Sequence, residues 1–374
     1  MYDEAIERAK YLDSLPEPIG PLHGLPLSVK EHLWIKGKPC NAGFAAWIPR
    51  DPPTENNGVL DIFLSLGAIP FCRTTEPQAL MHLSCNNNIT GKTYCPYNRT
   101  LTCGGSSGGE GALIAMKGSC VGLGTDIGGS VRSPAANCGI YSLRQSAMRL
   151  PMSGMSMAMT GAESILAILG PMCASARDIQ MFMGSTLATK PWEKDHTLVA
   201  IPWRNPTLPK KIKVAVMWDD GVVVPHPPIT RGLKQVKAAM EKYPELFEIM
   251  DWKALNHGAG WDIIAGLYFM DGGAQDTQAM ADSGEPMDPL TEFILKENKF
   301  VKDHTITEAW SVCSIEISAN SRCIKSEMRI EQNTGNIGTG FKINLTSFSV
   351  PSDPVLRPKW TRHDTGDTPR SGIY

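Results

Sequence analysis

Short apolar runs alternate with glycine-rich turns and helix-like segments between Pro21 and about Gly184, beginning with LPLSVK, VLDIFLSLGA and AIPFCR. Farther along, ALIAMKGSC is typical of a buried helix, and CVGLGT is typical of a buried strand that leads into a glycine turn. Strands interleaved with helices indicate an α/β layer architecture. We therefore predict a single α/β domain with a twisted mixed, mostly parallel β-sheet covered by helices.

The pattern changes twice in the second half of the chain. After the Pro-Trp pairs at 191–192 and 202–203, KIKVAVMW predicts a strand and ITRGLKQVKAAMEKY has the apolar spacing of an amphipathic helix. From about residue 320 the sequence is polar, rich in Ser, Thr and Pro, and has few periodic apolar positions. That stretch predicts loop or disorder.

Charge and composition bear on whether the chain binds nucleic acid or spans a membrane. The chain has 374 residues, enough for a large core that encloses a pocket, and its 36 basic and 38 acidic residues give a net charge of -2. No long run of Lys and Arg is present, so we expect no nucleic-acid partner. The N-terminus mixes both signs of charge, and no apolar run reaches ~18 to 20 residues. We expect a cytoplasmic protein without a transmembrane segment.

The cysteines do not follow a metal-binding or disulfide pattern. The ten lie at irregular spacings without a CxxC pair, at positions 40, 72, 85, 95, 103, 120, 138, 173, 313 and 323. Such spacing fits buried free thiols better than zinc ligands or disulfides. We predict no metal site and no cofactor.

Two serine clusters stand on glycine turns in the segment GGSSGGEGALIAMKGSCVGLGTDIGGSVRSP, which runs from Gly104 to Pro134. A serine becomes a useful nucleophile when a base removes its proton and backbone N–H groups hold the resulting oxyanion, and a turn such as 127–130 can aim several N–H groups at one point. One Gly-Gly-Ser turn alone is common in ordinary loops. Two of them, joined by Thr-Asp and followed by Arg132, favour catalysis. Neither G-x-x-x-x-G-K-[ST] nor G-x-G-x-x-G is present, which disfavours nucleotide binding.

The base is less obvious than the nucleophile. Histidine is the usual choice, but no paired motif distinguishes His23 or His32. Lys30 ends the apolar run LPLSVK, where desolvation would lower its pKa toward the neutral, proton-accepting form. A lysine with apolar neighbours is also a common surface residue whose stem alone is buried, so the residue by itself does not decide.

These residues resemble the amidase signature hydrolases, whose pattern GGSSGG…GTDxGGSxRxPA is matched from Gly104 to Ala135. PLHGLPLSVKE is similar to the lysine-bearing strand of that family. GPMCASARDIQMFM, with the PWE and PWR segments, resembles the fungal acetamidase-like and fatty acid amide hydrolase-like branch. The resemblance implies the amidase signature fold, with a domain over residues 1–320, a catalytic core at 20–185 and a polar tail at 321–374.

Carried over position by position, the resemblance implies Ser130 as the acylated nucleophile, Ser106 as the bridging serine and Lys30 as the base, with a cis peptide bond before Ser106. It implies an oxyanion hole made by the backbone N–H groups of Ile127, Gly128, Gly129 and Ser130. The remaining implied roles belong to residues that support the loop, Ser107, Thr125, Asp126 and Arg132, and to residues that line the acyl pocket, Leu80 and Met81. A positive charge that lowers the pKa of Lys30 could come from Arg132.

The reaction implied is hydrolysis of a small-molecule amide to an acid and ammonia or an amine through an acyl-enzyme. Self-association into a homo-oligomer is left open. Two alternatives remain: the glutaminase subunit of an amidotransferase, which the PWE and PWR segments disfavour, and an inactive truncated product, since members of this family extend beyond both ends of this sequence.

Overall fold

The secondary structure is that of a computed structural model, which describes residues 1–205, 207–297, 301–305, 307–308 and 311. The strands of this part of the chain are β1 Pro26–Lys30, β2 Ile69–Thr74, β3 Asn86–Asn87, β4 Gly91–Lys92, β5 Tyr94–Cys95, β6 Asn98–Thr102, β7 Val121–Asp126, β8 Tyr141–Ser142, β9 Ile168–Cys173, β10 Ile212–Met217 and β11 Phe247–Trp252. The helices are α1 Tyr2–Asp13, α2 Gly58–Ser65, α3 Gly108–Ala115, α4 Arg132–Cys138, α5 Ala176–Ala188, α6 Pro227–Met240, α7 His257–Leu267, α8 Ala274–Ala281 and α9 Pro289–Glu292.

Five strands form the central sheet in the order β2-β1-β7-β9-β8. β1 runs parallel to β2 and β7, whereas β9 is antiparallel to β7 and β8. The mixed sheet and its helices confirm the predicted α/β fold. The parallel pairs lie in one half of the sheet, because β9 runs opposite to both of its neighbours, β7 and β8.

The alternation of β1 separates an apolar face from a polar one. Leu27 and Val29 point into a core that contains Phe63 of α2 and Phe182 of α5, whose rings lie 4.7 Å apart. Successive strand residues face opposite sides of a sheet, so Ser28 and Lys30, which alternate with Leu27 and Val29, face away from that core. A polar contact surface is thus available on the second side of the sheet.

Glu110 of α3 occupies this second side. Its Oε2 accepts a hydrogen bond of 2.6 Å from Ser28 Oγ, and its Oε1 accepts one of 2.8 Å from Thr74 Oγ1. A Cβ at position 122 of β7 would lie 2.0 Å from Oε2, so only Gly122 allows this approach. Burial raises the pKa of Glu110 to about 7, against the opposing effect of these hydrogen bonds. One carboxyl group therefore fixes α3 against two strands.

The boundaries differ in places from the sequence prediction. Helix α3 ends at Ala115, before the rest of ALIAMKGSC, because the chain turns at Lys117 with a φ of 61°. The eight cysteines of the described residues are free thiols, with Cys72 and Cys120 less buried than the others. Residues 321–374 lie outside the described residues, and the boundary at residue 320 stays a prediction.

The described residues divide into two compact units, one formed by Met1–Ile212 with the residues from Gly258 onward and one formed by Lys213–His257. In the second unit β10 and β11 form a two-stranded sheet, and α6 begins at a Pro-Pro pair ahead of the predicted apolar pattern. Lys237 and Trp218 both donate to Asp251 Oδ1, at 3.2 and 3.0 Å. Within the described part of the chain, no helix is long and apolar enough to cross a bilayer.

Candidate active site

The site lies where two parallel strands end. β1 ends at Lys30 and β7 ends at Asp126, and because these strands are parallel neighbours their carboxyl ends meet at one edge of the sheet. Ser130 follows β7 in the next loop, and Ser106 stands just before α3, the helix fixed against the same strands. The topology thereby brings a lysine and two serine clusters from distant parts of the sequence to one place.

Lys30 is fully buried and bonded to two hydroxyl groups. Its Nζ lies 2.6 Å from Ser106 Oγ and 3.0 Å from Thr125 Oγ1. Burial lowers the pKa of Lys30 to about 8, although the acidic groups of Glu76 and Asp126 act in the opposite direction. About a tenth of the lysine is then neutral at pH 7, far more than for a lysine in water, as a proton-accepting role requires.

The two histidines weighed as bases in the sequence, His32 and His23, are bonded to other groups. His32 lies beside Thr125 and Ser156, with its Nε2 2.9 Å from Thr125 Oγ1. Burial, and then the charge of Lys30, lower the pKa of His32 to about 3, so the imidazole is neutral at physiological pH. His23 accepts a hydrogen bond from the Ile19 N–H. Neither ring contacts a candidate serine in the described hydrogen bonds, which disfavours a Ser-His arrangement.

Asp126 organises the loop that follows β7. Its carboxylate accepts hydrogen bonds from the amides of Gly129 at 2.7 Å and Val131 at 3.1 Å, and from Arg132 Nε and Nη2 at 3.0 and 2.9 Å. Burial raises the pKa of Asp126, but Arg132 and these amides outweigh it and hold the pKa below its usual value. Arg132 thus pairs with Asp126, and burial is the main cause of the lowered lysine pKa.

The loop amides differ in what they contact. The Gly129 N–H is donated to Asp126, whereas those of Ile127, Gly128 and Ser130 have no acceptor among the described residues. A Cβ at position 128 would lie 2.0 Å from the Tyr268 hydroxyl oxygen, so a larger residue there would displace the Tyr268 side chain from the loop. Burial raises the pKa of Tyr268 to about 12, and it stays protonated. Three amides are therefore free to bind an oxyanion.

The two serine clusters are joined through the backbone. The Ser107 N–H donates to the Ser130 carbonyl oxygen at 3.0 Å, and the Thr125 N–H donates to Ser107 Oγ at 3.2 Å. The peptide bond between Gly105 and Ser106 is cis, as the family resemblance implies. No hydrogen bond between the Ser106 and Ser130 hydroxyl groups occurs among those of the described residues.

Ser106 and Ser130 line one cavity of about 40 Å³. Leu80 and Met81, to which the family resemblance assigns the acyl pocket, also line this cavity. His32, weighed above as a base, lines the cavity too, together with residues that no sequence motif marked: Met155, Met157, Ala158, Met159 and Asp276. Their positions depend on packing between segments far apart in the sequence. Among the described residues, no group of three or more His, Cys, Asp or Glu side chains could hold a metal ion.

Comparison with known proteins identifies the family. Residues 1–328 match the Amidase family, and the chain belongs to it. It is 42% identical over 328 residues to a Schizosaccharomyces pombe protein assigned to the amidases, covering 87% of this chain and 61% of that protein. It is also 37% identical over 315 residues to an acetamidase of Aspergillus oryzae, covering 82% of this chain and 57% of the acetamidase.

A solved structure of a fatty acid amide hydrolase has the same fold. It superimposes with a TM-score of 0.84 at 32% identity, covering 88% of this chain and 58% of that one. The similarity confirms the predicted amidase signature fold and the resemblance to the acetamidase-like and fatty acid amide hydrolase-like branch. The chain spans about three fifths of the length of these relatives.

Proposed function

We propose that this chain hydrolyses the carbon–nitrogen bond of a small carboxylic amide, releasing an acid and ammonia or an amine, with Ser130, Ser106 and Lys30 as a catalytic triad. The observation that carries the proposal is the hydrogen bond of 2.6 Å between Lys30 Nζ and Ser106 Oγ in a fully buried setting. A desolvated lysine whose pKa is lowered and that contacts a serine hydroxyl is prepared to act as a base. Family membership agrees with this chemistry.

The proposed reaction moves one proton along the triad and back. Neutral Lys30 takes the proton of Ser106, Ser106 takes the proton of Ser130, and Ser130 Oγ attacks the amide carbonyl carbon. The oxyanion of the tetrahedral intermediate accepts hydrogen bonds from the loop amides, and the proton returns through Ser106 to the leaving nitrogen as the carbon–nitrogen bond breaks. Water, deprotonated along the same path, then hydrolyses the acyl-enzyme and releases the acid.

The Gly129 amide is the weakest member of the proposed oxyanion hole. Its N–H is engaged by Asp126 at 2.7 Å, so it orients the turn instead of facing the substrate. The amides of Ile127, Gly128 and Ser130 have no such partner in the described hydrogen bonds. We therefore assign oxyanion binding to these three and a positioning role to Gly129.

The cavity favours a short acyl group. Its volume of about 40 Å³ compares with the roughly 10 to 15 Å³ that one water requires by the same type of measure, so a few non-hydrogen atoms fill it. A long fatty acyl chain would need the walls to move apart. The substrate class proposed is thus an amide of a short-chain carboxylic acid.

A fluorophosphonate tests the proposed nucleophile without requiring the natural substrate. Intact mass spectrometry and peptide mapping of the full chain should show one adduct, on Ser130. The adduct should be absent from the Ser130→Ala variant and retained in Ser133→Ala, a matched change at another buried serine of the same segment.

A cooperatively melting sample with no adduct, or with the adduct on Ser106, would contradict the assignment. The first result would support the inactive-product alternative. Release of ammonia from acetamide or a homologous short amide by the labelling-competent protein, and its loss in Ser130→Ala, would complete the test.

A further inference from the structure

Asp276 is the charged side chain of the cavity whose role the triad leaves unexplained. It lies on α8, is fully buried, and contributes to the wall of the cavity that also contains Ser106 and Ser130. Neither carboxyl oxygen has a hydrogen-bond partner among the described residues. Buried carboxyl groups are normally paired, because an unpaired one is costly to desolvate.

The helix that carries Asp276 uses this residue as part of its inward face. Ala279 and Met280, three and four residues farther on, are buried with it, so Asp276 stands on an apolar stripe where a leucine or methionine would pack at no electrostatic cost. The nearby Asp271 carboxylate repels a charge on Asp276. Asp271 is itself bonded to the amides of Gly273 and Gln275. The position thus disfavours an acid unless something in the cavity pairs with it.

We propose that Asp276 is a specificity-determining residue that selects amides whose short acyl chain carries a hydrogen-bond donor, either a hydroxyl or an ammonium group. The inference rests on the proposed function, which places the acyl group in this cavity. The donor of the substrate supplies the partner that Asp276 lacks. A substrate that ends in a methyl group instead would leave the buried carboxyl unpaired, and sites built to bind a polar group reject such analogues strongly.

Three amides of equal size separate these possibilities. Butyramide ends in a methyl group, 3-hydroxypropionamide ends in a hydroxyl, and 3-aminopropionamide ends in an ammonium group. Propionamide, glycolamide and glycinamide form the corresponding series with an acyl chain shorter by one carbon. The two series place the terminal group at two different depths in the cavity. In at least one series, kcat/KM of the wild-type chain should favour a donor-bearing amide over its methyl analogue about tenfold or more.

Two substitutions connect this preference to one side chain. Asp276→Leu should reverse the preference, because the cavity wall becomes apolar. Asp276→Asn keeps an acceptor oxygen and the same shape but no charge, so it should lose the preference for ammonium and retain most of that for hydroxyl. Asp282→Asn, which changes an exposed carboxylate at the end of α8, is the matched control and should leave all ratios unchanged.

Binding without turnover separates this inference from the proposed function. The Ser130→Ala chain should bind the preferred donor-bearing amide about tenfold more tightly than its methyl analogue by calorimetry, and Asp276→Asn in that background should lose the difference for ammonium. Selective binding without hydrolysis by the wild type would leave the inference standing and contradict the proposed function. Hydrolysis or binding with equal preference for methyl and donor-bearing amides, or ratios unchanged in both Asp276 variants, would overturn the inference.

Discussion

His32 and Thr125 form a hydrogen bond of 2.9 Å between imidazole Nε2 and hydroxyl Oγ1. The direction of this bond follows from the other ring nitrogen, which lies 3.0 Å from the Ser156 carbonyl oxygen. A carbonyl only accepts, so Nδ1 carries the proton and Nε2 of the neutral ring accepts from Thr125. The lone pairs of Thr125 Oγ1 are thereby directed toward Lys30 Nζ at 3.0 Å. His32 is thus a positioning residue for the lysine.

His32→Leu should lower kcat about tenfold or more with little change in KM, because the hydroxyl that orients Lys30 loses its own fixed partner. Steady-state kinetics on a short amide measure the split between kcat and KM. His23→Leu is the control, since His23 contacts the Ile19 amide and lies outside the site. Equal loss in both variants, or an effect on KM alone, would argue against the positioning role.

The pH dependence of kcat/KM should follow the ionisation of Lys30. Only the neutral amine accepts a proton, and its pKa is about 8, so activity should rise with pH through that region and then level off. A limb centred near 10.5, the ordinary lysine value, would contradict the desolvation argument. A limb that persists in Lys30→Ala with the same midpoint would assign the ionisation to another group.

The same ionisation affects stability with a defined sign. The pKa of Lys30 is lower in the folded chain, at about 8, than the 10.5 expected when it is unfolded. Between these values the unfolded state binds more protons, so the contribution of this residue to the free energy of unfolding should increase as the pH rises. Denaturant titrations at several pH values, on the wild type and on Lys30→Met, measure it. A wild-type minus variant difference that stays flat across this interval would mean that the lysine is not desolvated.

The triad should respond to mutation as one unit. Lys30→Ala and Ser106→Ala should each reduce kcat by several orders of magnitude, and the double variant should lose little more than either single one, because either change interrupts the same proton path. The double-mutant cycle on kcat measures this coupling. If the double loss equals the product of the single losses, the two residues act independently.

The pair of Asp126 and Arg132 should matter for stability. Arg132→Met leaves the buried carboxylate with backbone amides and Arg144, whose Nε lies 3.6 Å away, and should reduce the free energy of unfolding by about 1 to 3 kcal/mol. Lys10→Met, which breaks an exposed pair with Glu7, should change it by less than about 1 kcal/mol. Because the pKa of Asp126 is lowered, its contribution is present above the ordinary value of 3.8 and is lost as the pH falls below it. Chemical denaturation at two pH values checks both statements.

Local chemistry made part of this site predictable from the sequence. Polar side chains in one short segment often bond to backbone groups a few residues away. The hydrogen bond from the Gly129 amide to Asp126, three residues earlier, is an example. Lys30 became a candidate because it ends an apolar run, and the family resemblance then assigned it the role of base. The roles in catalysis remain predictions, but the structure brings these groups together.

The remaining parts of the site depend on contacts between distant segments. Tyr268 approaches Gly128, and Asp276 lines the cavity, because of how α8 and the residues before it pack. No periodic pattern in the sequence encodes this packing. His32 stands two residues after Lys30, and this short spacing could have marked it as a neighbour of the lysine. Its partner at position 125 becomes a neighbour only when β1 and β7 pair.

The position of Tyr268 over Gly128 has a consequence for synthesis. The three residues of the proposed triad are synthesised well before Tyr268, so a nascent chain contains them while the side chain that lies against Gly128 is still missing. Under the proposed function, hydrolytic competence would therefore arise late in synthesis, only after the segment that carries Tyr268 has packed against the loop.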